Sequence, residues 1–293
     1  MSLITSGLTS YAKAEGFALI AAAVTKGTTA NYVNIVSGLK GTGLVPFLDS
    51  TVTLSAGGTC SFTNNGTSTF SEVEIGVKAI EYMESLCIGA LEGKAMMYEV
   101  GGYGDVPYEQ TFLNTKVEQI SKSLDQLYWL GSVAGGDAFN GFTVQGASKM
   151  VTVTGSTSNV YDAVDAAIDA AVAADSTFES SDSVVVFLNY AKYRILQKEL
   201  VVKNYFHYGP NATEGNMEIF FPGTKVKVVP TEGLAGHNFL YLADTAHLHI
   251  GTSLSSESEG LNVYHDLITN NLYLRAQWYN GTGVSKAFFK KAC

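Results

Sequence analysis

Charge is scarce in this chain. Asp, Glu, Lys and Arg make up 15% of its 293 residues, while hydrophobic residues make up 46%, the opposite of the balance that keeps a polypeptide disordered. Cysteine is scarcer still. Cys60, Cys87 and Cys293 form no CxxC pair and no metal-type spacing, which excludes a disulfide framework and fits a reducing compartment. No apolar run reaches the roughly 18–20 residues that span a bilayer, so no membrane partner is expected. The short apolar run at residues 17–24 is abutted by Glu15 and begins late for a secretory signal. Basic clusters are missing apart from Lys286, Lys290 and Lys291, and the net charge is −9, which speaks against a sequence-specific nucleic-acid reader.

The signatures of common chemistries are lacking as well. Gly38, Gly41 and Gly43 are followed by no Gly-Lys-Ser/Thr, and Gly101-Gly102-Tyr103-Gly104 lacks the dinucleotide pattern. There is no Gly-x-Ser-x-Gly elbow and no His-Glu-x-x-His. Of the five histidines, His247 and His249 lie two apart on an expected strand and share a face. Without a third ligand they read as solvent or interface histidines rather than a metal pair. Asp162, Asp165 and Asp169 line one side of an expected helix, where a solvated face is the natural role because calcium loops use glycine-bearing turns. Cys87 has no histidine placed beside it by the sequence and reads as a small hydrophobe. The sequons at Asn65, Asn211 and Asn280 carry no weight in a non-secreted chain. No catalytic, cofactor-binding or metal-binding residue is assigned, and no enzyme activity is expected.

What is present is a sequence of elements. Residues 1–44 are rich in Gly, Thr and Ala and read as an extended arm with a short helix over residues 11–24. Residues 45–75 alternate apolar and polar positions around the turn candidates Ala56-Gly57-Gly58 and Asn64-Asn65-Gly66, the pattern of a hairpin. Ser and Thr dominate the rest, so neither face is expected in a monomer core. Pro107 opens a long helix. Its apolar stripe is Leu113, Val117, Ile120, Leu124 and Leu127, and Gly131 stands at the C′ position. Lys116, Glu118, Lys122 and Asp125 are placed on the opposite, solvated or interface face. From residue 150 the pattern becomes α/β. A strand at 150–154 precedes a helix capped by Asn159, with Val160, Val164, Ile168 and Ala171 inward. The apolar run Val184–Leu188 reads as a buried central strand. Asn189 caps a further helix with Tyr193, Leu196 and Leu200 inward. Beyond 215 short strands are expected at 217–221, 225–229, 239–242, 247–250, 261–265, 272–278 and 287–289.

Three stretches carry a family resemblance. Ser68–Lys78 running to Glu84-Ser85-Leu86-Cys87, the helix from Pro107 to Gly131 with Asp125-Gln126-Leu127 and the Gly141 turn, and the back half from Ser183–Tyr193 through Val226–Pro230, Phe239–Asp244, His247–Thr252 and Tyr273–Trp278 resemble, in order and spacing, the major capsid proteins of tailed phages, the Hong Kong 97 type. Encapsulins share that fold. The resemblance covers most of residues 45–290 and rests on element order rather than a sharp motif. It implies an α+β fold with an N-terminal arm (1–44), an extended loop (45–75), a peripheral domain with a spine helix at 107–130 (76–140), an axial domain (141–250) and closing strands of the peripheral domain (251–293). It implies a structural protein of the virion capsid, assembled in the host cytoplasm into hexamers and pentamers around double-stranded DNA. Separate scaffolding, portal and decoration proteins and non-specific contact with DNA come with that implication. Lysine–asparagine cross-linking is not expected, because no lysine lies between Lys40 and Lys78. An encapsulin-like compartment and an α/β hydrolase or transferase stand as alternatives.

Overall fold

The computed structural model describes residues 18–53, 66–87, 108–155, 158–203, 219–253, 262–266, 268 and 271–293, with only the backbone for 108–111. Residues 18–25 form helix α1, whose Leu19, Ile20, Ala23 and Val24 are buried. A 3₁₀ turn at Thr29–Asn31 and strand β1 (Asn34–Val36) follow. β1 runs parallel to β10 (Leu248–Thr252). Residues 18–36 therefore belong to the protomer's own body rather than draping outward as the composition suggested.

A five-stranded sheet is built around the long strand β12 (Asn271–Val284). β4 (Lys78–Cys87) lies antiparallel along one side of β12, while β10 and β11 (Asn262–Asp266) lie along the other. β12 extends six residues past its expected end at Trp278. The small residues of Tyr279-Asn280-Gly281-Thr282-Gly283, beyond the expected strand, let another strand cross. A Cβ at Gly281 would collide with the carbonyl of Gly76, and Cβ atoms at Gly251 and Gly283 would come within 2.6 and 2.8 Å of the Ile75 side chain.

A six-stranded sheet takes the order β5-β13-β9-β6-β8-β7, from Met150–Thr152, Phe288–Ala292, Phe239–Asp244, Val184–Leu188, Lys227–Pro230 and Ile219–Phe220. The last strand, expected to close the peripheral sheet, instead sits between β9 and β5 in this second sheet. One face of the sheet (Val185, Phe187, Val229, Tyr241 and Ala243) joins a core with the long helix α2 (Tyr108–Leu130). The other face (Val184, Val186, Leu188, Leu240 and Leu242) packs on α4 (Val160–Ala174) and α5 (Tyr190–Val202). β6 is buried throughout, as its unbroken apolar run predicts.

Helix α2 joins the two sheets. Its expected stripe is inward, with Leu113, Val117, Ile120 and Leu124 buried. Near its C-terminus burial extends around the helix. Trp129 lies 5.0 Å from Phe187, 5.2 Å from Tyr241 and 5.3 Å from Phe142 of the short helix α3 (Phe142–Gln145). Gly131 ends the helix as expected, and its value is close approach: a Cβ there would lie 2.6 Å from the carbonyls of Leu127 and Phe139. Asn189 caps α5 by accepting from Lys192 N at 2.7 Å. Asn159 does not cap α4. Glu199 of α5 does so from across the helix pair, accepting from Val160 N (3.2 Å) and Tyr161 N (2.7 Å).

Candidate assembly surfaces

Strand β2 (Thr42–Val52) pairs antiparallel with β3 (Gly66–Gly76) through eleven successive positions. That is a ribbon about 34 Å long. Among the described residues the pair forms its own sheet, joined to no other strand. The turn candidates at 56–58 and 64–65 lie outside the described residues. Its alternation divides two unlike faces. On the inner face Val73 and Ile75 are buried, Phe47 meets the His247 ring edge-on at 6.1 Å, and Asp49 pairs with Lys286 at 3.4 Å. The inner face at the base is thus core, which corrects the expectation that neither face is buried. On the outer face Leu44, Leu48, Val52 and Phe70 are 53–82% exposed, and Leu48 stands directly opposite Phe70. Aromatic and aliphatic side chains left this open on one face of a projecting ribbon mark a contact surface. The stretch from Phe70 to Leu86 is two strands, broken at Val77, where the chain leaves β2 as partner and takes up β12 as β4.

The second surface is a groove of about 280 Å³ between β4 and α2, lined by Ile80, Tyr82, Ile120, Leu124, Leu127 and Trp278. Beside it Lys116 pairs with Glu84 at 2.8 Å, and the Tyr82 hydroxyl donates to the same carboxylate. Burial pushes the Glu84 carboxyl up, but the Lys116 and Tyr82 hydrogen bonds outweigh it and hold it below the usual range. Burial and the Glu84 charge push the Tyr82 phenol far above its usual range.

The third feature is a junction that the helix pattern hid. Asp125, expected on the solvated face, is buried. Its Oδ1 accepts from Thr29 N at 3.0 Å, and its Oδ2 accepts from the Thr231 hydroxyl at 2.6 Å and Gly233 N at 2.9 Å. The Thr29 hydroxyl meets that of Thr231 at 3.1 Å and accepts from Trp129 Nε1 at 2.8 Å. One carboxylate thus ties the N-terminal segment, the long helix and the turn after β8 together. Lys122 and Glu118 do stay exposed, in ion pairs with Glu232 and Lys26. The signal for Asp125 was weak: it lies one residue beyond Leu124, on the flank of the stripe.

His247 and His249 do not form a solvent pair. His249 is buried and His247 half-buried, and both reach the Ser285 hydroxyl, His247 Nδ1 at 2.9 Å and His249 Nε2 at 3.4 Å. Ser285 with His247 and Asp244 is not a nucleophilic triad. Ser285 is buried, and Asp244 Oδ2 stands 3.8 Å from His247 Nε2, too far to orient it. Among the described residues no three His, Cys, Asp or Glu side chains group as metal ligands. Asp162, Asp165 and Asp169 do crowd one another. Burial first, then the two neighbouring charges, raise the Asp165 carboxyl, and Lys203 offsets part of this. Cys87 is exposed at the end of β4, opposite Asn271, rather than buried. Asn280 is buried, with its side-chain amide 2.8 Å from the Tyr128 hydroxyl.

No family model matches the chain, and no curated protein does. Solved structures do. The chain is similar to a satellite phage P4 procapsid that includes the size determination (Sid) protein, with a TM-score of 0.61 at 11% identity over 94% of this chain and 90% of that one. It is similar to the capsid of an empty GTA particle, with a TM-score of 0.55 at 13% identity over 92% and 90%. It is also similar to a virus-like particle from Pyrococcus furiosus, with a TM-score of 0.54 at 11% identity over 99% of both chains. The fold is therefore the α+β fold of capsid shell proteins, the Hong Kong 97 type that the element order resembles.

Proposed function

We propose that this protein is the structural subunit of a self-assembling icosahedral shell, a phage major capsid protein that encloses double-stranded DNA. One observation carries the reading. On a fold shared with capsid proteins, a ribbon about 34 Å long turns Leu44, Leu48, Val52 and Phe70 outward, and the described residues of this protomer leave them uncovered. Copies of the chain are its natural partner, since a subunit of a shell is the partner present at every edge. In this reading residues 45–75 are the extended loop, and residues 18–36 of the expected arm are packed into the protomer's own body. The five-stranded sheet with α2 forms the peripheral body that bridges capsomers. The six-stranded sheet with α4 and α5 forms the axial body around hexamer and pentamer axes. Scaffolding, portal and decoration proteins act as separate partners, contact with DNA is non-specific, and the protein performs no catalysis. It assembles in the host cytoplasm and ends in the virion.

The end-to-end match to the Pyrococcus furiosus virus-like particle supports a second reading, a protein compartment of the encapsulin type. Size-exclusion chromatography with electron microscopy of the full chain tests both. Capsomers, tubes or closed shells are expected, and a strictly monomeric protein at high concentration, with or without a scaffold, overturns both. Shells that form with defined protein cargo and never take up DNA favour the second.

A further inference from the structure

We propose that the outer face of the ribbon docks on helix α5 of a neighbouring copy of the chain, apolar side chains on apolar and carboxylates on cations. The contact rests on the shell reading above and names the surface that receives the ribbon. The ribbon's outer face is two columns. Along β2 it presents Leu44, Pro46 and Leu48, and along β3 it presents Glu74, Glu72 and Phe70 directly opposite them, all six exposed. Glu72 and Glu74 have no ion pair among the described residues. A complementary surface is therefore apolar with cations running beside it.

Helix α5 has such a face. Tyr193, Leu196 and Leu200 are turned into the core, which leaves the opposite side of the helix in solvent. There Ile195, Val201 and Val202 are 39, 59 and 86% exposed, a second apolar stripe without a partner. Arg194 and Lys198 run beside Ile195 and Val202, exposed and without an ion pair among the described residues. By contrast Lys26, Lys122, Lys203, Lys225 and Lys286 already pair with carboxylates of their own protomer. One helical turn, about 6 Å, separates Arg194 from Lys198. Two strand steps, about 7 Å, separate Glu72 from Glu74, so both ion pairs can form at once. Asp165 and Asp169 of α4 are acidic as well, but they stand among alanines and offer no large apolar side chain to cover Ile195 and Val202.

One protomer does not make this contact with itself. Ile75 seats the ribbon over Gly251 and Gly283, on the side of β10 and β12 turned away from the α2 core, while α5 lies across the six-stranded sheet from that core. A second copy supplies the missing surface. Ribbon and helix are different surfaces, so the contact is head to tail and repeats from copy to copy, closing into rings where the rotation fits.

Charge reversal on the full chain tests it. Glu72→Lys with Glu74→Lys, and separately Arg194→Glu with Lys198→Glu, are each expected to slow assembly about tenfold or more, followed by light scattering. All four residues are exposed, so circular dichroism and the unfolding midpoint are expected to match the wild type. The chain with all four changes restores opposite signs across the contact and is expected to assemble within a few-fold of the wild-type rate. In assembled particles Phe70→benzoylphenylalanine is expected to photo-cross-link to residues 190–202 of another copy, mapped by mass spectrometry. A wild-type chain that stays monomeric overturns the shell reading and this contact with it. Unimpaired assembly of either reversed pair, no recovery in the fourfold variant, or cross-links that land instead on the groove between β4 and α2 overturn the contact alone and leave the shell reading standing.

Discussion

At the scale of single residues, Asp125 carries the most. A buried carboxylate with three donors is stable only while all three are present, because each orphaned buried donor costs about 1–3 kcal/mol. Asp125→Ala strands Thr29 N and leaves the Thr231 hydroxyl and Gly233 N only their weaker contacts with the Thr29 and Thr231 hydroxyls. It is expected to cost about 3 kcal/mol or more, measured by chemical denaturation. Gly233→Ala tests the same junction by crowding: a Cβ there would lie 2.6 Å from Trp129 Cδ1 and clash with the Asp125 carbonyl, an overpacking cost of about 1–3 kcal/mol. Leu124→Ala and Lys122→Ala separate core from surface on one helix. Leu124 is buried beside Ile80 and Trp278, so its loss is expected to cost roughly 2–5 kcal/mol. Lys122 is exposed, with an exposed partner, and its loss should stay within about 0.5 kcal/mol. Equal losses for the two variants would contradict the inward stripe.

At the scale of elements, the hairpin is two structures in one. Its base is held by Ile75 over the glycines of β10 and β12, while its outer face is held by nothing in the described protomer. The double change Leu48→Ser with Phe70→Ser removes a cross-strand apolar pair from that outer face. Both residues are more than half exposed, so protomer stability is expected to change by no more than about 0.5 kcal/mol. Assembly into higher-order particles, followed by light scattering and electron microscopy, is expected to fail or slow sharply. Unimpaired assembly would remove the outer face from the interface. By contrast Ile75→Ala acts on the base and is expected to cost roughly 2–5 kcal/mol in the protomer itself.

At the scale of the whole molecule, the six-stranded sheet is the shared wall of two cores. Alternate residues of β6 and β9 enter opposite cores, so neither core can be lost while the other keeps its wall. Both tryptophans, Trp129 and Trp278, lie in the core with α2. Val186→Ala alters the other core. Its destabilisation, on the order of 1–3 kcal/mol, is nonetheless expected to shift the tryptophan-fluorescence unfolding midpoint together with the helical circular dichroism. Separated midpoints would show that the two halves unfold independently. The same architecture explains why the chain order of strands misleads: β13 closes the second sheet because its apolar Phe288 and Phe289 face one core each.

Periodicity was enough wherever a segment's own residues decide its environment. The stripe on α2, the buried run of β6 and the inward residues of α4 and α5 are all readable from spacing, since each element must bury its apolar side against something, whereas the buried inner face of the hairpin was not. Which partner it meets is not local information. Asp125 was legible as a charged residue on a helix but not as buried, because its three donors come from segments about one hundred residues away on either side. Glu199 displaced Asn159 as a cap for the same reason, and residues 279–283 became strand because a crossing hairpin needs backbone without side chains. The identity and order of the elements lie in the chain, whereas the junction and the exposed outer face exist only once distant segments are brought together.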